Sequence, residues 1–342
     1  MSSRPRVSVI VLTYEGKELL RRFLPSIASQ TFRDYEVIIF DNASKDDSVS
    51  FLEEHFPDFR VVVNQTNEGT ALGTNLGVRH ACGELLLLIS NDMELDPSFM
   101  EEMLATMDSD STIGIVGCKM MKLGTDDMHT RTIDNVGGNV DLFGFPYVRG
   151  HDEDDRGQWD RESDVFFAFG GGMLVRKRLY EELRGFDAAF FTLADDIDLS
   201  WRCRLLGYRV VVNPRAVLHH RVSATLATKF KREWCRYLAE RNTCRMLLKN
   251  YSAVNLVWVM PCYFLILLAE VSFFVVTFRR RMARAVVKAI AWNIRHLSET
   301  LRERRYAQSL RRCPDRIVMR YMHRKSAKIV VGMESIRTGL LI

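Results

Sequence analysis

Short runs of apolar residues, each closing on a polar cluster, punctuate the first part of the chain: Val7–Leu12, Tyr35–Phe40, Phe59–Val63 and Leu85–Ile89. Leu85–Ile89 is uninterrupted, and a run of that kind reads as a strand buried on both faces; the other three are strand candidates as well. Helical spacing lies between them. Leu19, Leu20, Phe23, Leu24 and Ile27 share one face, and a second helix is expected around Val49–His55. The polar stretch Asn64–Gly77, with Gly69, Gly73 and Gly77, reads as a loop leading to a short helix through Val78–Ala81. Strands and helices alternating in this way predict right-handed βαβ units and an α/β fold with a mainly parallel sheet flanked by helices. Thr13, Asp41 and Asp92 then fall along one edge of the sheet, where ligands bind in open α/β folds.

Further along, the pattern predicts a helix over Phe99–Met107 and a strand over Ile113–Cys118. The region 124–164 is rich in Gly and Asp and reads as irregular. Its length marks it as functional or mobile. An apolar run resumes at Phe166–Val175, followed by a helix at Lys177–Leu183. Asp195, Asp196 and Asp198 precede a periodic segment, as acids do at a helix N-terminus. Two strands, Arg209–Asn213 and Ala216–His220, complete this part.

The 342 residues, 47% hydrophobic and 27% charged, suffice for one large α/β domain and an appendage. Met1–Arg6 is short and polar, so no secretory leader is expected. The seven cysteines are scattered without a Cys-x-x-Cys pair, which points to a reducing compartment and away from zinc or a disulfide frame. No Walker-type loop is present, since Gly69-x-x-x-Gly73 lacks the following Lys-Ser/Thr.

Three acid clusters (Asp41, Asp92, Asp195/Asp196) and the pair His219-His220 fall at element ends. Singly, each is as well explained by a cap, a turn or a satisfied polar group. Their order is more specific. Val7–Tyr14, Asp41–Ser44 with Asp46, Asn67-Glu-Gly69 leading to Asn75-Leu-Gly77, and Asn91-Asp92 come first. Gly171–Arg176, Gly185-Phe-Asp187, Asp195–Leu199 with Trp201-Arg202, and His220 in His-Arg-Val-Ser-Ala-Thr225 follow. Over residues 7–250 this resembles an inverting glycosyltransferase of the GT-A type, in the family-2 group that includes rhamnosyltransferase-like enzymes.

The resemblance implies a nucleoside diphosphate sugar donor. Thr13, Tyr14 and Glu15 would pack beside the nucleotide, and Asp41 would accept a hydrogen bond from the base. Asn67, Gly69 and Asn75 would line the same pocket, with the glycines letting the backbone approach the ligand. Mg²⁺ or Mn²⁺ would sit on the diphosphate. The family's Asp-x-Asp motif reads Ser90-Asn91-Asp92 here, so its first carboxylate is missing. Asp92 and His220 are the implied metal ligands, with His219 as the neighbouring alternative. Asp196 matches the general base, and Asp195 beside it is a like charge that raises its pKa. The implied reaction moves rhamnose or another hexose to a glycan or lipid-linked acceptor. Ser90 motivates the rival reading, a non-catalytic nucleotide-sugar or glycan-binding protein. A processive synthase would carry several spanning helices and a Gln-x-x-Arg-Trp motif, which the sequence lacks.

The last third, residues 251–342, differs in character. Val254–Phe278 is apolar and long enough to cross a bilayer of about 30 Å. Pro261 and Glu270 interrupt it, and a carboxylate at the centre of a span costs about 2.5 kcal/mol or more. Residues 279–325 carry 15 Lys and Arg against three acids, so a single span would export a basic tail, against the positive-inside tendency. The expected location is therefore the cytoplasmic face of a membrane, peripheral or monotopic, with a single span as the alternative. Val286, Ile290, Ile294, Leu297 and Leu301 form a helical stripe opposite Arg284, Lys288, Arg295 and Arg302, which suits an anionic membrane surface. An ordinary helical cap on the catalytic domain explains the same stripe. Nucleic acid is not expected as a partner, because the basic stretch lacks interleaved aromatics.

Overall fold

A computed structural model describes residues 4–124, 126–221 and 231–330. Its internal contacts divide the chain into two units. The first comprises residues up to Gly137, Val148–Cys203 and the chain from Tyr208 through the last strand of its sheet. The second comprises Gly138–Tyr147, Arg204–Gly207 and the described residues from 231 onward. The expected boundary at residue 250 thus differs from this division, which assigns 232–250 to the second unit.

In chain order the first unit contains β1 (Val7–Thr13), α1 (Lys17–Ala28), β2 (Tyr35–Asp41), α2 (Ser48–His55), β3 (Arg60–Val63), α3 (Gly69–Val78), β4 (Leu85–Ser90) and β5 (Met93–Leu95). It continues through α4 (Phe99–Ser109), β6 (Ile113–Leu123) and β7 (His129–Asn135). Two short strands of the second unit's sheet come next, β8 (Gly138–Asp141) and β9 (Pro146–Val148). They are followed by β10 (Ser163–Asp164), β11 (Gly172–Arg176), α5 (Lys177–Glu182), α6 (Asp195–Leu205) and β12 (Arg209–His220). The main sheet runs β10-β12-β6-β11-β4-β1-β2-β3, with β5 on β12 and β7 on β6. The block β4-β1-β2-β3 is parallel throughout, as is the pair β6–β12. β11 runs antiparallel between β4 and β6.

Both faces of the parallel block are covered. Val7, Val9 and Val11 of β1 join one core with Leu20, Leu24 and Ile27 of α1 and Phe99 and Met103 of α4. On the opposite face Ile10 meets Gly77 of α3. The spacing predicts a loop over 64–77, but the helix already begins at Gly69 and ends at Val78. A Cβ at Gly73 would lie 2.9 Å from Leu12 Cδ1, and one at Gly77 3.0 Å from Ile10 Cγ2. The glycines therefore let this helix lie close on the sheet. The region 124–164 is likewise less irregular than its composition suggests, since β7, β8, β9 and β10 fall within it. The two strands expected over 209–220 are one strand, with a register shift between Asn213 and Val217.

Beneath α6, Asp198 and Arg202 form a buried pair four residues apart, Nη2 to Oδ2 2.7 Å. Arg202 also donates to the carbonyls of Leu183 and Gly185 (2.8 Å to Gly185). Arg202 of the sequence motif is thus a structural anchor that fixes the loop leading to α6. Removing one partner of a buried pair strands the other charge. Arg202→Met should lower the unfolding free energy by about 3–5 kcal/mol, read from urea denaturation at unchanged m-value. A loss below about 1 kcal/mol, the scale of an exposed pair, would refute the anchoring role.

Candidate active site

The parallel register sets one rim of the site. It pairs Thr13 with Asp41 and Leu12 with Ser90, so the polar residues after β1, β2 and β4 emerge together. Asn91 donates from Nδ2 to Thr13 Oγ1 at 2.8 Å. Gly16 keeps this approach open, since a Cβ there would lie 2.2 Å from Asn91 Nδ2. The loops after β1 and β2 are joined by the Glu15 N–H to Ser44 Oγ bond, 2.7 Å. Glu15 and Ala43 both have left-handed backbone, φ 48° and 71°. Such strain in non-glycine residues persists only where the surroundings hold it. Tyr14, partly buried, sits on the same loop.

Asp41 is fully buried. Its Oδ1 accepts from Ser44 N at 2.9 Å, while Oδ2 has no hydrogen-bond partner among the described residues. A buried carboxylate oxygen without a donor is costly unless something supplies one. It is an acceptor fitted to an N–H or O–H of a ligand. Next to it Asn42 ties the rim together. Its Nδ2 donates to Asn67 Oδ1 and Gly69 O, and its Oδ1 accepts from Glu68 N. Asn67 Oδ1 also accepts from Gly69 N at 2.9 Å.

Asp92 lies in the turn between β4 and β5. The antiparallel register of β5 with β12 sets Met93 opposite His220, which brings Asp92 to that histidine. His220 Nε2 is 3.6 Å from Asp92 Oδ2, and its Nδ1 lies 2.9 Å from Asp134 Oδ2 on β7. Burial alone would lower the His220 pKa, but the two carboxylates outweigh it and push it up to about 9. A carboxylate holding one ring nitrogen while the other faces a second carboxylate is how metal-binding histidines are oriented. Asp92 and His220 thus fit a hard divalent cation as an oxygen–nitrogen pair. Among the described residues no set of three ligating side chains closes round a cation. Mg²⁺ or Mn²⁺ here would need phosphate oxygens and water to fill its shell. His219 points elsewhere. It stacks on His129 at 3.7 Å and its Nε2 lies 3.3 Å from Asp96.

Asp195 and Asp196 open α6. Asp196 Oδ2 accepts from Gly170 N at 3.1 Å and Oδ1 from Ile197 N at 2.8 Å. The residue keeps some solvent access, yet its carboxyl group is packed round by protein. Burial and the neighbouring Asp195 charge raise its pKa to about 7. Asp195 is raised as well, chiefly by burial, and accepts from Thr70 Oγ1 at 3.1 Å. Gly171, next to Gly170, accepts from Ser90 N at 3.4 Å, which ties this acid pair to the end of β4.

The turn before the pair is unusual. Phe191, Leu193 and Ala194 all have positive φ, 63°, 70° and 63°. The N-terminus of α3 grips it, with Phe191 O accepting from Thr70 N at 2.6 Å and Ala71 N at 3.2 Å. A Cβ at Gly69 (φ 76°) would lie 2.3 Å from that carbonyl oxygen.

Protein surrounds two parts of the expected pocket lining. Gly69 and Gly73 make room for protein, the Phe191 carbonyl at the first and Leu12 with Asn42 at the second. Asn75 is committed to the fold. It donates to Phe186 O (2.8 Å) and accepts from Phe186 N (2.9 Å) and Tyr180 Oη (2.6 Å). Asn42, Thr70 and Asp134 bond to the candidate residues as well, to Asn67, Asp195 and His220 respectively. The segment Asp41–Ser44 contains Asn42, but Asp134 sits in a stretch without periodicity. Val222–Thr225 of the histidine motif lies outside the described residues.

Known proteins agree with this geometry at the level of fold and family. RfbC of Myxococcus xanthus, an O-antigen biosynthesis protein, is 29% identical over 238 residues, 65% of this chain and 18% of RfbC. The putative glycosyltransferase EpsH of Bacillus subtilis is 33% identical over 113 residues, 32% of this chain and 33% of EpsH. The chain therefore spans a third or less of the length of these two relatives. Among solved structures, residues 1–349 of S. aureus TarS with UDP-GlcNAc superpose with a TM-score of 0.58 at 16% identity, covering 98% of this chain and 92% of that one. GalNAc-T7 with UDP, GalNAc and Mn²⁺ gives 0.55 at 16% identity, over 73% and 48%. The mannosyltransferase PcManGT of Pyrobaculum calidifontis with GDP-Man and Mn²⁺ gives 0.51 at 18% identity, over 90% and 86%. The fold is GT-A-like, an α/β sheet flanked by helices with a helical extension. The Glycosyl transferase family 2 model matches residues 8–184, more than half of the chain, and the protein belongs to that family.

Proposed function

We propose that the protein is an inverting glycosyltransferase that uses a nucleoside diphosphate sugar. The observation that carries this reading is the buried Asp196 carboxylate, held by Gly170 N–H beside the strand edge that bears Asp41 and Asp92. Asp41 Oδ2 takes a donor from the nucleotide, and the Thr13–Glu15 loop and Asn67 flank it. Asn91 stays on Thr13 and shapes the rim. The acceptor hydroxyl gives its proton to Asp196 as its oxygen bonds to the anomeric carbon. The bond from that carbon to the diphosphate breaks on the opposite face, so configuration inverts. Asp195 keeps Asp196 basic enough to take the proton near neutral pH. A divalent cation, held by Asp92 and His220, would neutralise charge building on the leaving diphosphate.

The donor class is supported by the UDP, UDP-GlcNAc and GDP-Man bound by structural neighbours. RfbC, as an O-antigen biosynthesis protein, supports a cell-envelope glycan or its lipid-linked precursor as acceptor. Rhamnose or another hexose is the sugar moved, at the cytoplasmic side where nucleotide sugars are made. Ser90 favours one rival, a binding protein that has lost transfer. Donor turnover with Mn²⁺ over a nucleotide-sugar panel separates the two: nucleotide binding without transfer or hydrolysis of any donor supports the rival.

Asp196→Asn should cut transfer by about 10²–10⁴-fold while donor affinity is kept. Wild-type turnover should rise with pH and level off above about 7, where Asp196 has lost its proton. Stability gives an independent check. A carboxyl whose folded pKa is raised binds its proton more tightly in the folded state, so stability falls as pH rises from the ordinary carboxylate range through about 7. At pH 8 the Asn variant should therefore melt higher than wild type, and an equal or lower Tm would count against the buried-acid reading. Asp92→Ala should abolish cation-dependent transfer. Asp134→Asn should weaken Mn²⁺ binding in the presence of nucleoside diphosphate by about 10–100-fold, measured calorimetrically. Unchanged Mn²⁺ affinity would remove Asp134 from the metal's support.

A further inference from the structure

The second unit contains α7 (Arg232–Asn250), α8 (Ala253–Val276), α9 (Arg280–Arg295), α10 (Leu297–Ser309) and α11 (Asp315–Val318). A short strand β13 (Met322–His323) joins β8 and β9 in a three-stranded sheet. Among the described residues α8 alone is long and apolar enough to cross a membrane. Its two faces differ. Val259, Met260, Tyr263, Leu267 and Phe274, at helical spacing, are buried in the unit. Val254, Val257, Leu265, Leu268 and Val276 are exposed, and Phe278 just beyond is 82% exposed.

The buried face is tied down by charge. Glu270 pairs with Arg236 (3.1 Å) and with Lys328 (2.6 Å). Glu240 pairs with the same two cations, and Tyr263 Oη donates to Glu240 O at 3.2 Å. This accounts for the carboxylate that interrupts the apolar sequence. It also bears on how α8 can meet lipid. To span a bilayer, α8 must either leave α7 and strand Glu270, or draw a four-charge network and a polar helix into hydrocarbon. Both are disfavoured.

The stripe expected to face lipid is divided: Val286 of α9 is fully buried and Ile290 half-buried, whereas Ile294, Leu297 and Leu301 are exposed. Ala283, Val286, Ala289 and Asn293 form the buried side of α9, which packs against α7, and Asn293 donates to Arg241 O at 3.0 Å. Protein thus covers the start of the stripe and leaves its later residues outside. The outward face of α9 presents Arg280, Arg281, Arg284, Lys288 and Arg295, with Val287 and Ile294 among them. A basic, partly apolar helix thus follows the exposed apolar end of α8.

We propose that the outer face of α8, with Phe278 and the basic face of α9, is a monotopic docking surface for an anionic lipid bilayer. α8 lies in the interface plane without crossing. The exposed apolar row enters the headgroup–acyl boundary and the arginines meet lipid phosphates, the two attractions that hold in-plane helices on membranes. The surface is independent of the catalytic reading, because it rests on the second unit alone.

Flotation of the full chain with preformed sealed vesicles tests this. Wild type should float with phosphatidylcholine–phosphatidylglycerol vesicles and weakly with phosphatidylcholine alone. Val276→Asp/Phe278→Asp should lower partitioning by about tenfold or more with the far-UV spectrum and Tm unchanged, since both side chains are exposed. Arg280→Glu/Arg281→Glu should erase the preference for anionic vesicles. Equal flotation of either variant and wild type overturns the proposal. Protease added outside should still remove a C-terminal epitope from vesicle-bound protein, and a protected epitope means a span and refutes the in-plane placement. If wild type is a dimer in lipid-free buffer and Val276→Asp/Phe278→Asp is a monomer, the patch is a contact between copies and the proposal fails.

Discussion

Parallel strands that end in step are the constraint on which the site depends. β1 is hydrogen-bonded on both sides, to β2 and to β4, with Thr13 level with Asp41 and Leu12 level with Ser90. Because the chain adds β2 and β3 on one side of β1 and returns to place β4 on the other, a crevice opens between the loops that follow. A register slip of one residue would turn the buried apolar positions outward, so the core itself fixes the alignment of polar ends. Asp41, Asn91 and Asp92 reach one rim for that reason.

The acid pair shows how the remaining parts are locked to this rim. α6 presents Asp195 and Asp196 from its first turn, where helix N–H groups lack partners in the helix and favour negative charge. Burial works against that charge and dominates at Asp196. Three residues with positive φ lead into the helix, and the N-terminus of α3 holds the carbonyl of Phe191. Thr70 reaches both that carbonyl and Asp195. A strained turn, a raised carboxyl and a glycine that admits no Cβ are thus parts of one arrangement.

The inner strands of the parallel block were legible because burial on both faces leaves nearly continuous apolar runs, broken at Ser8 of β1 and Glu36 of β2 and unbroken from Leu85 to Ile89 of β4. Helix α3 was not, because three glycines at four-residue spacing look like a loop. Their value lies in close packing against Leu12, Ile10 and the Phe191 carbonyl, contacts far away in sequence. Asp41, Asp92, Asp196 and His220 stood out through motif order, whereas Asn75 shared that order and turned out to hold Phe186 and Tyr180. Asp134 carried no local signal, since its meaning comes from β7 pairing with β6 beside β12. The apolar stripe from Val286 to Leu301 was visible, but periodicity cannot say that its first residue is buried in protein while Ile294, Leu297 and Leu301 stay exposed.

Asp134 has a consequence for how such proteins diversify. It stands on β7, inside the Gly- and Asp-rich stretch that departs most from a regular α/β pattern, yet its carboxylate is 2.9 Å from His220 Nδ1. The stretch is pinned elsewhere too, since Lys119 on β6 bridges Asp155 (3.0 Å) and Asp160 (2.5 Å). Exchange of residues 124–164 between homologues is therefore not the exchange of a passive loop. Any transplanted segment must bring its own carboxylate to the imidazole and its own acids to a buried ammonium. Asp134, Asp155 and Asp160 all lie between 124 and 164, so chimeras cut at those points inherit or lose these posts together.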